Sequence, residues 1–170
     1  IVEFKAHFNK ISSIEKQELN FLKELVIFNN ELKKFPTEIK AVINSLLVDR
    51  NQITEINFDS IPINTVLSNQ LTTIDVSFNQ IEKIPKELFE CLPNLQSFSA
   101  FFNNITEIPS EISKCKNLSS LNVSYNPIKK LPKMPRSIDR LTASNCQIES
   151  FDDDPFAEPD SQQAIMTPFH

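Results

Sequence analysis

Few residues in this 170-residue chain have chemistry to offer, and they are scattered. The two histidines, His7 and His170, stand at opposite ends, so no His–Ser or His–Cys nucleophilic pair and no zinc set is assembled locally. Cys91, Cys115 and Cys146 are an odd set without metal-ligand spacing, which suits free thiols in a reducing, cytoplasmic compartment. Two carboxylates, Asp49 and Asp75, offer acid/base chemistry if the fold brings them together and buries one of them. The chain has no glycine, whereas about 7% is usual. A P-loop, a dinucleotide fingerprint, a kinase Gly-rich loop and a G-x-S-x-G elbow are therefore excluded in their standard forms, and no cofactor is expected.

Charge adds a further exclusion. Of the 22 acidic residues, five (Asp152, Asp153, Asp154, Glu158 and Asp160) lie in 152–170, which leaves 17 in residues 1–151 against 17 Lys and Arg. A neutral body argues against nucleic acid or an anionic membrane as the main partner. No apolar run approaches the ~20 residues of a membrane span, and no signal peptide is visible. The chain starts at Ile1 without Met and reads as an excised or processed piece.

What positions these residues is a repeat. Around Asn126 the sequence runs Leu118, Leu121, Val123, Asn126, Ile128, Leu131, Pro132, which is the pattern L-x-x-L-x-L-x-x-N-x-L-x-x-L-P. The same frame fits Leu95 to Pro109 around Asn103 and Leu71 to Pro85 around Asn79. It continues toward the N-terminus around Asn51, Asn30 and Asn9, and ends in a seventh copy, Ile138, Leu141, Ala143, Cys146, Ile148, Phe151, with Cys in the Asn slot. The signature positions Asn9, Asn30, Asn51, Asn79, Asn103, Asn126 and Cys146 step by 21, 21, 28, 24, 23 and 20 residues. Apolar residues two apart send both side chains to one face of a strand, and an Asn at the following turn can satisfy buried backbone groups in a stacked ladder. One repeat cannot bury its apolar residues alone, but stacked repeats can.

Residues 1–151 resemble the leucine-rich repeat family, including its permitted Asn-to-Cys exchange. The resemblance implies an α/β fold: a right-handed curved solenoid, or horseshoe, with a parallel concave sheet of about seven strands and short helical or extended convex segments. Residues 152–170, acidic and Pro-containing, are expected to form either a C-terminal cap, through Phe156, Ile165, Met166 and Phe169, or a linker. Pro36-Thr37-Glu38-Ile39, Pro85-Lys86-Glu87-Leu88 and Pro109-Ser110-Glu111-Ile112 resemble the intracellular Ras-group class, in which Pro opens a short helix, so each is expected to be a helical turn. Residues 131–138, with two prolines three apart, should run extended, and 57–70 should hold a bulging insertion. Asn is expected to serve the left-handed turn positions that Gly usually fills.

The frame also assigns the outward floor of the sheet. The central column is Lys5, Val26, Leu47, Asp75, Ser99, Asn122 and Thr142, and the column nearest the signature Asn is His7, Phe28, Asp49, Ser77, Phe101, Ser124 and Ser144. The third column is Glu3, Glu24, Ser45, Thr73, Ser97, Ser120 and Arg140. Asp49 and Asp75 then lie diagonally on adjacent strands ~4.8 Å apart, on a floor without an evident apolar pocket. Val26, Phe28 and Leu47 form an exposed apolar patch, while Phe78, Phe102 and Tyr125, just before the signature Asn, stack along the turn edge beside Phe101. Cys91 and Cys115, each twelve residues after its Asn, stack in successive repeats as apolar filling.

The expected function is non-catalytic binding of a protein partner on the concave surface by a monomer, with contacts from Val26, Phe28, Leu47, Asp49, Asp75, Phe101 and Tyr125. The resemblance also implies a second reading, the regulatory segment of a larger signalling enzyme such as a protein phosphatase, kinase or adenylyl cyclase. A secreted module is a third, against which the odd cysteine count and the lack of disulfide-rich caps argue; the sequons at Asn104, Asn117 and Asn122 are chance matches expected in an Asn- and Ser-rich chain.

Overall fold

The computed structural model describes residues 2–14, 17–18, 21–36, 39–40, 43–57 and 70–151. In chain order the strands are β1 (Glu3–Lys5), β2 (Gln17–Glu18), β3 (Glu24–Val26), β4 (Ile39–Lys40), β5 (Ser45–Leu47), β6 (Thr73–Asp75), β7 (Ser97–Ser99), β8 (Ser120–Asn122), β9 (Lys130–Leu131), β10 (Arg140–Thr142) and β11 (Ser150–Phe151). Helix α1 (Lys86–Cys91) and a 3-10 segment, Ser110–Lys114, lie between them. Seven strands form one parallel sheet in the order β1-β3-β5-β6-β7-β8-β10, as the frame predicts. Its register aligns Phe4, Leu25, Leu46, Ile74, Phe98, Leu121 and Leu141 in a single row. From Leu25 onward this row is buried, as are Ile27, Val48, Val76, Ala100 and Val123 two residues later, so one continuous apolar interior runs behind the sheet.

The path of the convex side follows coil length. The 24-residue coil has room for the six residues of α1, which begins after the extended Pro85 and buries Leu88, Phe89 and Cys91. Phe89 meets Phe98 edge-on at 6.0 Å. The 23-residue coil holds the 3-10 segment, which packs beside α1. In the 21- and 20-residue coils the described convex residues include short strands instead, β2 pairing with β4 and β9 pairing with β11 of the following coil. This corrects the helical turn expected at Pro36–Ile39: Ile39 is in a strand, and residues 37–38 lie outside the described residues. An extended residue advances roughly 3.3 Å and a helical one 1.5 Å, so a coil with fewer residues crosses the convex side only when stretched. The path expected to be extended over 131–138 starts in β9 but ends in a turn, where the Ile138 amide donates to the Pro135 carbonyl at 3.1 Å. The core of the insertion, 58–69, and the expected cap or linker, 152–170, lie outside the described residues.

Every turn after a sheet strand places one residue in the left-handed region: Phe8, Asn29, Arg50, Phe78, Phe102, Tyr125 and Asn145, each immediately before its signature Asn or Cys, with φ between 52° and 57°. Asn, the residue expected at such positions, holds only two of these seven. Aromatic residues and an arginine take the others, at a cost of about 1–2 kcal/mol each for an L-residue with a Cβ. The two offsetting interactions are the hydrogen bonds of the next residue and contacts between the left-handed side chains themselves.

Candidate protein-binding surface

The signature asparagines hold the turns that carry the floor. Asn103 Oδ1 accepts from the amide of Ile81 at 3.0 Å, and its Nδ2 donates to the carbonyls of Val76 at 3.0 Å and Ala100 at 3.2 Å. Asn126 repeats this with Ile105, Ala100 and Val123, Asn79 with Ile53, Val48 and Val76, and Asn51 with Leu32, Ile27 and Val48. Asn30 accepts from the Ile11 amide and donates to the carbonyls of Ala6 and Phe28. Cys146 closes the series with a weaker bond, its thiol donating to the Val123 carbonyl at 3.4 Å. Asn9 differs: it is exposed, and its Nδ2 donates to the His7 carbonyl within its own turn. It occupies the ladder position without spanning two coils.

On this scaffold the turn-side floor row is confirmed bond by bond. The amide following each row residue donates to the carbonyl of the row residue on the next strand: Phe8 to Phe28, Asn29 to Asp49, Arg50 to Ser77, Phe78 to Phe101, Phe102 to Ser124 and Tyr125 to Ser144. His7, Phe28, Asp49, Ser77, Phe101, Ser124 and Ser144 therefore lie side by side across the concave face.

The expected contact residues fare differently on this face. Val26 is not an exposed apolar residue: it is 5% exposed, in register between Lys5 and Leu47, with Phe28 following on the same side of the strand. A short side chain between longer neighbours ~4.8 Å away on both sides is covered by them. Leu47 and Phe28 are half-buried. Phe28 stacks on His7, ring centroids 4.7 Å apart and 6° from parallel, and Phe8 meets Phe28 edge-on at 5.5 Å. His7 lies in the row the frame assigns it, but only the folded sheet reveals its stack on Phe28.

A larger aromatic group occupies the turn edge. Phe101 touches Phe78 and Tyr125, each at 5.1 Å, and Phe102 lies 5.4 Å from Phe78 and 6.0 Å from Tyr125. The Arg50 guanidinium covers Phe78 at 4.1 Å from the ring centroid, a cation–π contact that continues the line by one coil. Phe102 and Tyr125 remain 52% and 46% exposed. Beside them Asn79, Asn103, Asn104, Asn126, Pro127, Asn145 and Gln147 complete a shallow groove of about 330 Å3. Arg50 carries no aromatic signal in the sequence, because the left-handed turn alone aims it along the edge.

Asp49 and Asp75 are brought close enough to interact. Burial first, and the neighbouring Asp75 carboxylate second, hold the Asp49 carboxyl above its usual range, so the floor desolvates it more than the sequence suggests. Asp75 Oδ1 accepts from the Ser77 amide at 2.8 Å, and Arg50 Nε lies 3.9 Å from Asp49 Oδ2. Ser77 and Ser99 share a hydrogen bond at 2.8 Å between them. The cysteines are free thiols; Cys115 donates to the Phe89 carbonyl, and burial pushes its thiol up to about 11. Among the described residues no group of three His, Cys, Asp or Glu can hold a metal, and no helix is long and apolar enough to cross a membrane.

A family model for the leucine rich repeat matches residues 69–132, and two relatives, osteomodulin and fibromodulin, also match. The chain belongs to the leucine-rich repeat family. It is 25% identical to osteomodulin of Bos taurus over 146 residues, covering 84% of this chain and 34% of that protein. It is 30% identical to adenylate cyclase of Schizosaccharomyces pombe over 135 residues, 78% of this chain and 8% of the cyclase. A solved leucine-rich repeat protein of Leptospira interrogans superposes with a TM-score of 0.58 at 28% identity, over 75% of this chain and 32% of that one. The chain thus spans about a third of the length of the first of these relatives. Leucine-rich repeat domains are generally non-catalytic and typically bind proteins, and the floor and turn edge described above are the surfaces this one presents.

Proposed function

We propose that this leucine-rich repeat domain is a non-catalytic docking module in a reducing, cytoplasmic compartment, and that a partner protein lies across its concave floor with its anchor on the aromatic turn edge. The observation that carries the reading is the contiguous group Phe78, Phe101, Phe102 and Tyr125, two of whose rings stay about half exposed although the apolar interior is complete without them. Clustered exposed aromatic residues on a rigid surface are the usual anchors of protein interfaces, and a preformed floor keeps the ordering cost of binding small. Phe28, Leu47, Asp49 and Asp75 extend the contact along the floor, whereas Val26 supports it from beneath.

The test is capture from cell extract with wild-type domain and with the Phe101→Ser/Tyr125→Ser variant, thermal unfolding confirming that both are folded. Loss of the specifically captured protein is expected. Unchanged capture removes the reading. The similarity to adenylate cyclase favours a second role for the same surface, holding a regulatory partner or a catalytic region of a longer polypeptide. The complete open reading frame distinguishes the two.

A further inference from the structure

The balance of charge within residues 1–151 hides a segregation on the concave face. Across β3 to β8 the three floor columns hold Glu24, Asp49 and Asp75 as their charged residues, all acidic, while the floor's basic residues, Lys5 and Arg140, stand on the end strands β1 and β10. Lys5 is already paired with Glu3 at 2.8 Å and reaches Glu24 at 3.8 Å. Arg50, beside Asp49, leans over the Phe78 ring at the turn edge. The Asp49–Asp75 pair therefore keeps a net negative charge at the centre of the face.

The shape around the pair is specific. In the turn-side row Asp49 lies next to Phe28 on one side, and on the other side the small, buried Ser77 separates it from Phe101. Ser77 and Ser99, tied to each other, keep the floor low between the carboxylates and the Phe101 ring. Two acids thus sit in a dip with an aromatic shoulder at either end, each shoulder within about two strand spacings of Asp49. A guanidinium or ammonium group satisfies both features at once, since carboxylates pair with it and ring faces attract it.

Building on the docking role proposed above, we infer that the partner segment crossing the floor is basic, inserting an arginine or lysine side chain between Phe28 and Phe101 onto the Asp49–Asp75 pair. An acidic or neutral segment would leave two like charges pressed together beneath it. Isosteric variants are available that spare the fold. Asn122 occupies the position of Asp75 two strands along and makes the same bond, its Oδ1 accepting from the Ser124 amide at 3.1 Å, so Asp75→Asn preserves the turn.

The probe is a displayed library of random peptides selected on the whole chain at near-physiological salt, with binding of the winners measured to wild type, to Asp49→Asn/Asp75→Asn and to Phe28→Ser/Phe101→Ser. Thermal unfolding verifies that each variant is folded. The expected winners carry Arg or Lys at one fixed position. They lose about tenfold or more in affinity on the double amide variant, and their wild-type affinity falls as salt is raised. No winners above background, winners without a fixed basic residue, or winners indifferent to the double amide variant each overturn the basic-segment inference. In the last two cases, binding that still collapses on Phe28→Ser/Phe101→Ser leaves the concave docking role standing.

Discussion

Phe4 and Phe98 hold the same position of the same sheet, yet Phe4 is 39% exposed and Phe98 is 1% exposed. Asn9 and Asn103 form a second such pair: one bonds within its own turn, the other joins three backbone groups across two coils. The first coil and the interior coils share one residue pattern. In a solenoid, however, an apolar side chain is buried by the coils on both sides, and an asparagine amide finds its most distant acceptor in the coil before. A repeat at the end of the described stack has half of that environment. Stability therefore belongs to the interfaces between repeats more than to any repeat by itself.

This contrast can be broken by substitution, and the largest effect is expected in the core. Phe98→Ala should destabilise the fold by about 4 kcal/mol in urea unfolding, while Phe4→Ala should cost less than about 1 kcal/mol. Similar losses at both positions would show that the first coil is as well supported as the interior ones. The ladder gives the next effect. Asn103→Ala removes its hydrogen bonds across two coils and leaves the buried Ile81 amide unpaired, whereas the Val76 and Ala100 carbonyls keep Asn79 and Asn126; the expected loss is about 2 kcal/mol, against about 0.5 kcal/mol or less for Asn9→Ala.

The last coil sharpens the comparison in the opposite direction. Cys146 stands in the ladder with a thiol, a weak donor, so Cys146→Asn should stabilise by about 1 kcal/mol by completing the bonds that Asn126 makes one coil earlier. A neutral or destabilising result would mean that the turn there has adapted to sulfur.

The smallest effect concerns Asp49. Its carboxyl binds a proton more tightly in the folded chain than in the unfolded one, so ionisation weakens the fold. That penalty is complete above the folded-state pKa and relieved as pH falls through it toward the ordinary 3.8. Asp49→Asn should therefore raise Tm slightly at pH 7, and the gain should vanish in thermal melts taken below pH 4. A gain that persists in acid would assign the effect to packing.

Much of the molecule is legible in the order of its residues. Strand period, signature asparagine and coil spacing are local features, repeated seven times, and they place every strand of the main sheet and every floor residue in its row. The helix at Lys86 and the 3-10 segment at Ser110 are legible too, because Pro followed by an acidic first turn is a local signal. The same signal at Pro36 misleads, since the shorter coil there must stretch across the convex side.

What resists such reading depends on neighbours distant in sequence. Val26 belongs to an outward column, and its burial follows from the side chains on the two adjacent strands. The left-handed turns fall mostly to aromatic residues and Arg50, which no propensity favours and which stacking between successive coils makes tolerable. The two aspartates are visible as diagonal neighbours, but their desolvation and the aromatic shoulders around them arise only when seven coils close into one face. Pattern along the chain decides which way each side chain points; the company it finds there is set by packing between coils that are twenty or more residues apart.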